Sequence, residues 1–307
     1  MTITNSDINT TPSLRQMAKP QSQPYLLPAP EIQHDFSQTA RLPSVSECAT
    51  HLQLLNAIVR LKFAVDKWSQ TKNLPEGQAW KHFCDTAVAK FLKWSENVDA
   101  SKQTIPIPSL DVLMVWHSFM LNPKDYMRYA NRVLQGRLGG KGIDWQQLNM
   151  KLDAIDEDMP DYLASLSDTT QLSNQQELSR VCPGGFDMVA AIQRQLKYSE
   201  KMYNAKYLKS RFADDILTNA IDRYEKFFSL IAENPGVGIA PTQDIDLVWH
   251  THQLWPKSYV AYSRQRTNGR FVNHNDNLDD DTLEESGING ETLFFERFGT
   301  PYRICLS

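Results

Sequence analysis

The sequence predicts an all-α protein in which two tandem, similar helical units pack together behind a disordered N-terminal tail. Apolar residues recur at helical spacings along most of the 307 residues, whereas the alternation typical of β-strands is scarce. A segment of the first half also recurs in the second half, which indicates an internal duplication. The first 44 residues are rich in Ser, Thr, Gln, Asn and Pro, a composition that rarely buries enough apolar surface to become ordered.

These patterns set the expected boundaries along the chain. We expect a disordered tail over residues 1–44, a first helical repeat unit over 45–150, an acidic linker over 151–180 and a second repeat unit over 181–307. The linker contains consecutive acidic residues followed by a Ser/Thr/Gln-rich tract. Within the tail, residues 25–27 form an apolar island that has the surface to dock on the body.

Each unit is expected to open with two amphipathic helices. In the first unit, apolar residues at helical spacing run through residues 51–68 and again through residues 79–94. In the second unit, residues 186–203 and 216–231 echo those two helices with a looser match. The two pairs predict the same local architecture at the start of both units.

The repeated segment predicts two short helices in each unit. Residues 108–129 read PSLDVLMVWHSFMLNPKDYMRY and residues 241–262 read PTQDIDLVWHTHQLWPKSYVAY, an offset of 133 positions (241 minus 108). Pro108 ends the preceding segment, Ser109 is a suitable N-cap, and Pro123 opens the next helix. The second copy has equivalent residues at the same offset, so the same two helices are expected there.

Polar residues replace apolar ones in the second copy. The first of the two short helices is apolar all round in the first copy, which is typical of a buried helix. Burying an unpaired polar group costs about 1–3 kcal/mol, so each polar replacement needs a partner. The replacements are Asp246 for Leu113, His252 for Phe119 and Gln253 for Met120.

A candidate metal site follows from these residues and a second polar cluster. Asp246 and His250 are four residues apart and therefore share one helix face. The segment 273–281 adds His274 and Asp276, which could swing back toward that face. Two imidazoles with one or two carboxylates suit Zn, Fe or Mn. We therefore predict Asp246, His250, His274 and Asp276 as metal ligands, with a divalent transition metal, zinc or iron, as the candidate cofactor.

His252 is predicted to have a different role. It lies two residues beyond His250, about 200° around a helix of 3.6 residues per turn. Both imidazoles can reach one metal only if the helix ends before His252. In the enzyme hypothesis, His252 is the catalytic residue that does acid/base work beside the metal.

A structural interpretation of the same residues stays open. Asp246 and His250 would then be a helix-internal hydrogen-bonded pair, and His117 and His250 would be core histidines. The segment 273–281 would be a solvated loop. Satisfied polar networks of this kind are common in protein interiors. No short motif of fixed ligand spacing, such as H-E-x-x-H, is present.

The composition argues against several functional classes. With 32 Lys+Arg against 36 Asp+Glu, the formal net charge is −4, which disfavours a nucleic-acid binder that works through bulk positive charge. Basic residues and tyrosines over 194–211 are interpreted as a solvated helical face rather than an RNA contact. No apolar run of about 18 residues predicts a membrane span, and no secretion signal is recognised. Four scattered cysteines are typical of a reduced, cytoplasmic protein.

The two W-H segments and their surroundings resemble the glycine-rich domain-containing protein-like (GRDP-like) family of plants and fungi. The resemblance rests on FDMVAAIQRQLKYSEKMY, AIDRYEKFF, PTQDIDLVWHTHQLWPKSYVAY, NHNDN and ETLFFERFGTPY, and with the first copy it spans roughly residues 45–307. The family usually has a second histidine where this chain has Phe119, and H-D-D where this chain has His274-Asn275-Asp276. Glycine-rich and RNA-binding-like segments of longer plant relatives have no counterpart in these 307 residues. The resemblance implies links to development and stress responses but no settled biochemical activity.

Three functional hypotheses follow. The first is a cytoplasmic interaction or regulatory protein whose units form a groove for an unknown protein or small-molecule partner. The second is a metal-dependent enzyme, a non-haem oxygenase or a hydrolase, that uses the predicted His/Asp site. The third, an RNA-associated factor, is disfavoured by the charge, and no membrane partner is expected. The sequence leaves open whether the protein is an enzyme.

Overall fold

The computed structural model describes residues 26–28, 40–102, 105–152, 162–163, 181–182 and 185–304. Most of the predicted disordered tail and most of the acidic linker lie outside these residues, as does Cys305. None of the helices in the described ranges is both long and apolar enough to cross a membrane.

The described part of the chain is mostly helical, which confirms the predicted all-α class. Its α-helices are α1 (Val45–Thr71), α2 (Gln78–Glu96), α3 (Leu110–Met120), α4 (Pro123–Arg132), α5 (Trp145–Leu152), α6 (Met188–Ala205), α7 (Ala213–Glu233), α8 (Gln243–Gln253), α9 (Pro256–Arg266) and α10 (Asp280–Phe298). The strands are short: β1 (Leu26–Pro28), β2 (Val181–Cys182), β3 (Phe186–Asp187) and β4 (Arg270–Val272).

The short strands form two antiparallel pairs. β1 pairs with β4, with Leu26 opposite Val272, so the tail docks on the body where its apolar island indicated. β2 pairs with β3 immediately before α6. Each pair is too short to be stable alone, so both depend on the helices that flank them.

Local sequence signals explain where the helices begin. Ser44 and Glu47 form a capping box at the start of α1, in which each side chain accepts a hydrogen bond from the other residue's backbone N–H. Prolines occupy the first positions of α4 and α9, as the repeat predicted. Ser109 and Thr242 stand at the predicted N-cap positions of α3 and α8, although neither side chain caps the helix by a hydrogen bond.

The apolar interior forms two clusters that share α1 and α6. The first cluster is built mainly on α2 to α5, and it also receives Leu61 from α1 and Ile192 from α6. The second is built mainly on α7 to α10, and it receives Leu52 from α1 and Met202 from α6. Because α1 and α6 also pack against each other, they form a central layer that joins the two clusters.

The same hydrogen bonds occur in α3–α4 and α8–α9, at positions 133 residues apart. The indole N–H of Trp116 donates to the Tyr126 hydroxyl at 3.1 Å, and that of Trp249 donates to the Tyr259 hydroxyl at 2.9 Å. Each tyrosine hydroxyl in turn donates to a backbone carbonyl further along the chain. Both tryptophans are buried, as their place in the repeat indicated.

An ion pair with a buried carboxylate recurs at the same offset. Lys90 Nζ lies 2.7 Å from an Asp111 carboxylate oxygen, and Arg223 Nε lies 2.6 Å from an Asp244 carboxylate oxygen. The carboxylates belong to the first turns of α3 and α8, where the helix dipole also stabilises them. In both halves this pair fixes the short helix against the long helix that precedes it.

Each half of the chain reaches across to the end of a short helix in the other half. The Ile143 N–H donates to the Leu254 carbonyl at 3.0 Å. In the reverse direction, Nδ1 of His274 lies 2.6 Å from the Leu121 carbonyl oxygen. Leu121 and Leu254 are the C-caps of α3 and α8, 133 positions apart. This exchange brings the segment after β4 to the junction between the two halves.

Candidate metal centre

Helix α8 supplies two ligand-type side chains from one face. Asp246 and His250 lie one turn apart on this largely buried helix, and Asp246 Oδ1 is 3.2 Å from His250 Nε2. The two atoms are within ion-pair range, yet Asp246 Oδ1 takes part in no hydrogen bond within the described structure. The His250 side chain is 3% exposed and that of Asp246 is 20% exposed, although Asp246 Oδ1 itself is buried.

The segment after β4 supplies a third side chain. His274 Nε2 is 3.2 Å from His250 Nε2, so the structure brings together the two histidines that the sequence placed in separate clusters. One ligand atom from each of Asp246, His250 and His274 lies within 4.8 Å of the other two. His274 lies 24 residues beyond His250 in the sequence. It reaches His250 because the segment that carries it is held at the junction of the two halves.

The orientation of His274 is set by its second ring nitrogen. Nδ1 faces the Leu121 carbonyl at 2.6 Å, and a carbonyl oxygen can only accept a hydrogen bond. Nδ1 therefore carries the proton, and the lone pair of Nε2 points toward His250. Metal-binding histidines are commonly fixed in this way by a carbonyl partner on the other nitrogen.

Burial controls the charge of the group. Burial raises the pKa of Asp246 to about 7, Lys201 opposes that rise and the charge of Asp276 adds to it. Burial lowers the pKa of His250 well below its ordinary value, with His274 as the next cause, and also lowers the pKa of His274. Both imidazoles are therefore neutral near pH 7, which is the state that binds metals.

Asp276 lies beside this group, but its carboxylate is held by other residues. Arg194 Nε donates to it at 2.9 Å and Gln195 Nε2 donates to it at 3.0 Å. Asn122 Nδ2 also lies 3.5 Å from one of its oxygens. The geometry therefore places Asp276 next to the three-residue group as a charge neighbour, whereas the sequence had predicted it as a ligand.

His252 is not brought to this group. Helix α8 continues through Gln253, so His252 lies on the far side of the helix from His250. Its Nδ1 is 3.0 Å from the Tyr224 hydroxyl and its Nε2 is 3.5 Å from the Ser258 hydroxyl. Burial lowers the pKa of this imidazole to about 3. The predicted acid/base role at the metal has no support in this placement.

The packing of His252 follows that of Phe119, which stands 133 positions earlier. The Phe119 ring lies 5.4 Å from the Tyr126 ring, and the His252 ring lies 5.4 Å from the Tyr259 ring. The Phe119 ring also packs on Tyr129, and the His252 ring also packs on Tyr262. His252 thus fills an aromatic packing position, with hydrogen bonds added to satisfy its nitrogens.

A second pair of histidines lies in contact, and the sequence interpretation did not identify this contact. His51 Nε2 on α1 lies 2.9 Å from His117 Nε2 on α3, and His51 Nδ1 lies 2.9 Å from the Thr251 hydroxyl on α8. Both rings are fully buried. His117 is therefore a core histidine, as the structural interpretation proposed for it. In the sequence, His51 appears only as a lone histidine among the apolar residues of α1, and this gives no indication of its partner.

Two polar residues of α6 also lie beside the candidate metal centre, although the sequence interpretation assigned Tyr198 to a solvated helical face and did not single out Gln195. The Tyr198 ring centroid lies 4.5 Å from that of His250, and the Tyr198 hydroxyl is buried with no hydrogen-bond partner in the described structure. Gln195, three residues earlier, holds Asp276 and leaves its own buried Oε1 unpaired. Spacing along one helix could have grouped these two residues, but nothing local indicated that they face α8.

Two of the tyrosines in the basic row over 194–211 face the protein interior. Tyr207 is buried, and the Tyr198 ring lies against His250. Arg194 is engaged by Asp276. These three residues therefore face the protein interior or an ion pair, whereas the interpretation of the whole row as a solvated helical face stays a prediction.

Comparison with known proteins gives a resemblance to one family but no structural template. Residues 146–261 match the family model described as glycine-rich domain-containing protein-like. The chain is 28% identical over 241 residues to glycine-rich domain-containing protein 1 of Arabidopsis thaliana, covering 69% of this chain and 27% of the relative. It is 27% identical over 214 residues to glycine-rich domain-containing protein 2 of the same plant, covering 64% and 26%. No solved structure matches.

The matched region and the candidate centre overlap only in part. The matched region, residues 146–261, contains Asp246 and His250, whereas His274 lies beyond the end of that region. The chain spans about a quarter of the length of these two relatives. The resemblance carried by the second W-H segment is confirmed, because residues 146–261 match the model of the GRDP-like family.

Proposed function

We propose that this GRDP-like protein binds one divalent transition metal ion, zinc or iron, through Asp246, His250 and His274. The observation that carries the proposal is the convergence of three ligand atoms within 4.8 Å, contributed by α8 and by the segment after β4. Two imidazoles and a carboxylate form a mixed N/O ligand set that suits these ions.

The spacing between the ligand atoms supports the proposal. With metal–ligand bonds of about 2.0–2.2 Å, two ligands of one ion stand roughly 3–3.5 Å apart. Asp246 Oδ1 and His250 Nε2 are 3.2 Å apart, and so are the Nε2 atoms of His250 and His274. A carboxylate oxygen at this distance that makes no hydrogen bond is the arrangement expected of two ligands that share an ion.

The number of ligands favours a catalytic role for the ion. Structural zinc sites are usually closed by four protein ligands, whereas catalytic zinc and non-haem iron sites keep positions open beside three. Asp246, His250 and His274 provide three, and the hydrogen bond from His274 to Leu121 fixes the geometry in advance. The proposed class is a metal-dependent enzyme of the hydrolase or oxygenase type.

An interaction or regulatory role is the second candidate, and a different observation favours it. Helix α10 exposes Ile288 and Phe295, with 54% and 61% of their surfaces accessible. The two residues are seven positions apart and so lie on one face of the helix, and an apolar patch on one face is what a partner surface would use. In this alternative the polar group would stabilise the junction between the two halves and bind no ion.

Metal analysis of the purified protein separates these candidates. After desalting, the metal proposal predicts about one equivalent of zinc or iron in the wild type and in a His82→Ala control, whose histidine lies on α2. It predicts loss of the ion in His250→Ala and in His274→Ala. Sub-stoichiometric metal that is equal in all four proteins would overturn the metal proposal and favour the interaction role.

We also propose that the two halves arose by duplication, as tandem units over 45–150 and 181–307. Helix α1 belongs to the first unit and α6 to the second, and each contributes to both apolar clusters. The repeated Trp–Tyr hydrogen bonds and the repeated ion pairs support this origin. The cytoplasmic location expected from the sequence is a separate proposal. Fractionation of cells that express a tagged full chain tests that location.

A further inference from the structure

Several buried polar atoms around the candidate metal centre lack hydrogen-bond partners. Within the described structure, these include the Tyr198 hydroxyl, Gln195 Oε1, Asp246 Oδ1 and His250 Nδ1. Leaving a buried polar group unpaired is costly, so native proteins pair nearly all of them with protein groups, water or ligands. Unpaired donors and acceptors gathered beside one candidate centre indicate that the centre takes a polar ligand from outside the chain.

The Tyr198 hydroxyl is the donor best placed to meet such a ligand. Tyr198 comes from α6, an element separate from α8 and from the segment that carries His274. Its ring centroid lies 4.5 Å from the His250 ring, at a tilt of 56°. The hydroxyl on this ring is buried and has no hydrogen-bond partner among the described residues.

The position of α6 beside the centre is fixed by an independent contact. Gln195 lies three residues before Tyr198, so both side chains project from the same face of α6. Gln195 donates to Asp276 at 3.0 Å, and Arg194 donates to the same carboxylate at 2.9 Å. These two hydrogen bonds hold α6 against the segment that carries His274, so the Tyr198 hydroxyl is pre-positioned.

We infer that Tyr198 donates a hydrogen bond to a small monoanionic oxygen ligand, a hydroxide or a short carboxylate, bound beside Asp246, His250 and His274. This inference rests on the proposed metal function. The charge balance points to a monoanion, because a divalent ion with Asp246 retains one positive charge while Asp276 is paired with Arg194. An oxygen ligand supplies the acceptor that the Tyr198 hydroxyl lacks.

Cobalt(II) substitution provides the test, since its visible absorption reports changes in coordination. The full-length protein is loaded with Co²⁺ and titrated with acetate at fixed pH, and in a second arm it is taken through a pH series with no added anion. Tyr198→Phe removes the hydroxyl and keeps the ring. We expect this substitution to weaken acetate binding in the first arm, and formation of the hydroxide form in the second, by about ten- to a hundredfold. This factor corresponds to the loss of one charge-assisted hydrogen bond.

Two controls make the outcome specific. Tyr203→Phe removes the hydroxyl of another α6 tyrosine, whose ring packs on Phe63 at 6.0 Å, and it should leave both titrations unchanged. His250→Ala should lose the cobalt spectrum. If the wild type binds cobalt but Tyr198→Phe matches it in both arms, the inference about Tyr198 is overturned and the metal proposal stands. If the wild type gives no more spectrum than His250→Ala, the metal proposal itself fails.

Discussion

His274 faces the Leu121 carbonyl with Nδ1 at 2.6 Å and His250 with Nε2 at 3.2 Å. A single imidazole thus joins the C-terminal end of a helix in the first half to a polar helix face in the second. Because the carbonyl fixes the tautomer, the lone pair of Nε2 is directed at His250. The candidate centre therefore depends on the packing of the two halves.

The two buried tryptophans give a test of the repeated cores. Trp116→Ala and Trp249→Ala should each lower the free energy of unfolding by about 3–5 kcal/mol, because each truncation removes a large buried ring and its hydrogen bond to a tyrosine. Urea denaturation of the two variants beside the wild type measures the losses. An unchanged midpoint for either variant would show that its ring does not contribute to a core.

His252 should behave as a packing residue. His252→Ala removes a buried ring that lies among tyrosines, so we expect a loss of about 2–4 kcal/mol in the free energy of unfolding. The metal content of the folded variant should equal that of the wild type. A stable variant that had lost its metal would contradict the position of His252 and restore its predicted role at the centre.

The dependence of stability on pH provides a further test of His252. Its pKa is lowered from an ordinary 6.5 to about 3 in the folded protein. Between these two pH values the imidazole binds a proton in the unfolded chain but not in the folded protein. Its contribution to stability is therefore complete above about pH 6.5 and is lost as the pH falls toward 3. The slope for one such group is about 1.4 kcal/mol per pH unit.

His252→Phe isolates this effect, because Phe119 fills the equivalent position in the first half. The variant should lose less stability than the wild type on acidification below pH 6.5. The titrations of Asp246, His250 and His274 are common to both proteins and cancel in the comparison. Parallel pH profiles from chemical denaturation, with a constant difference between pH 7 and pH 5, would refute the burial of this imidazole.

Gly142 tests the reciprocal contact between the halves. A Cβ at this position would meet the Leu254 carbonyl oxygen at 2.6 Å and the Trp255 Cα at 2.7 Å, both of them backbone atoms that cannot move aside cheaply. Gly142→Ala should therefore cost about 1–3 kcal/mol in thermal or urea unfolding. Gly287→Ala is the matched control, because it lies within α10 with only a flexible arginine end nearby, and it should stabilise the protein slightly. Equal stabilities would count against the predicted clash.

Much of the local structure could be predicted from particular residues. Proline and a cap residue marked the starts of the short helices, and the repeat offset placed Trp116 and Trp249 in equivalent buried positions. The exchange of Leu113 for Asp246 identified the polar face of α8. These signals act within one or two helical turns, so the sequence carries them directly.

The contacts that complete the centre could not be predicted in the same way. Tyr198 and His51 reach α8 and α3 only because α1 and α6 form a shared central layer, and helical spacing does not fix which helices become neighbours. The sequence also could not separate the two roles of His252, because a histidine in an aromatic packing position has the same sequence appearance as one at a metal site. Its partner, the Tyr224 hydroxyl, comes from a helix that precedes α8.

The most direct measurement is the X-ray absorption fine structure of the zinc-loaded protein, because it counts the imidazoles bound to the ion. The account predicts two imidazoles and a carboxylate oxygen at zinc in the wild type, and one imidazole on any zinc retained by His274→Ala. Zinc surrounded by oxygen alone, or the same imidazole count in both proteins, would contradict the claim that Asp246, His250 and His274 hold the ion together.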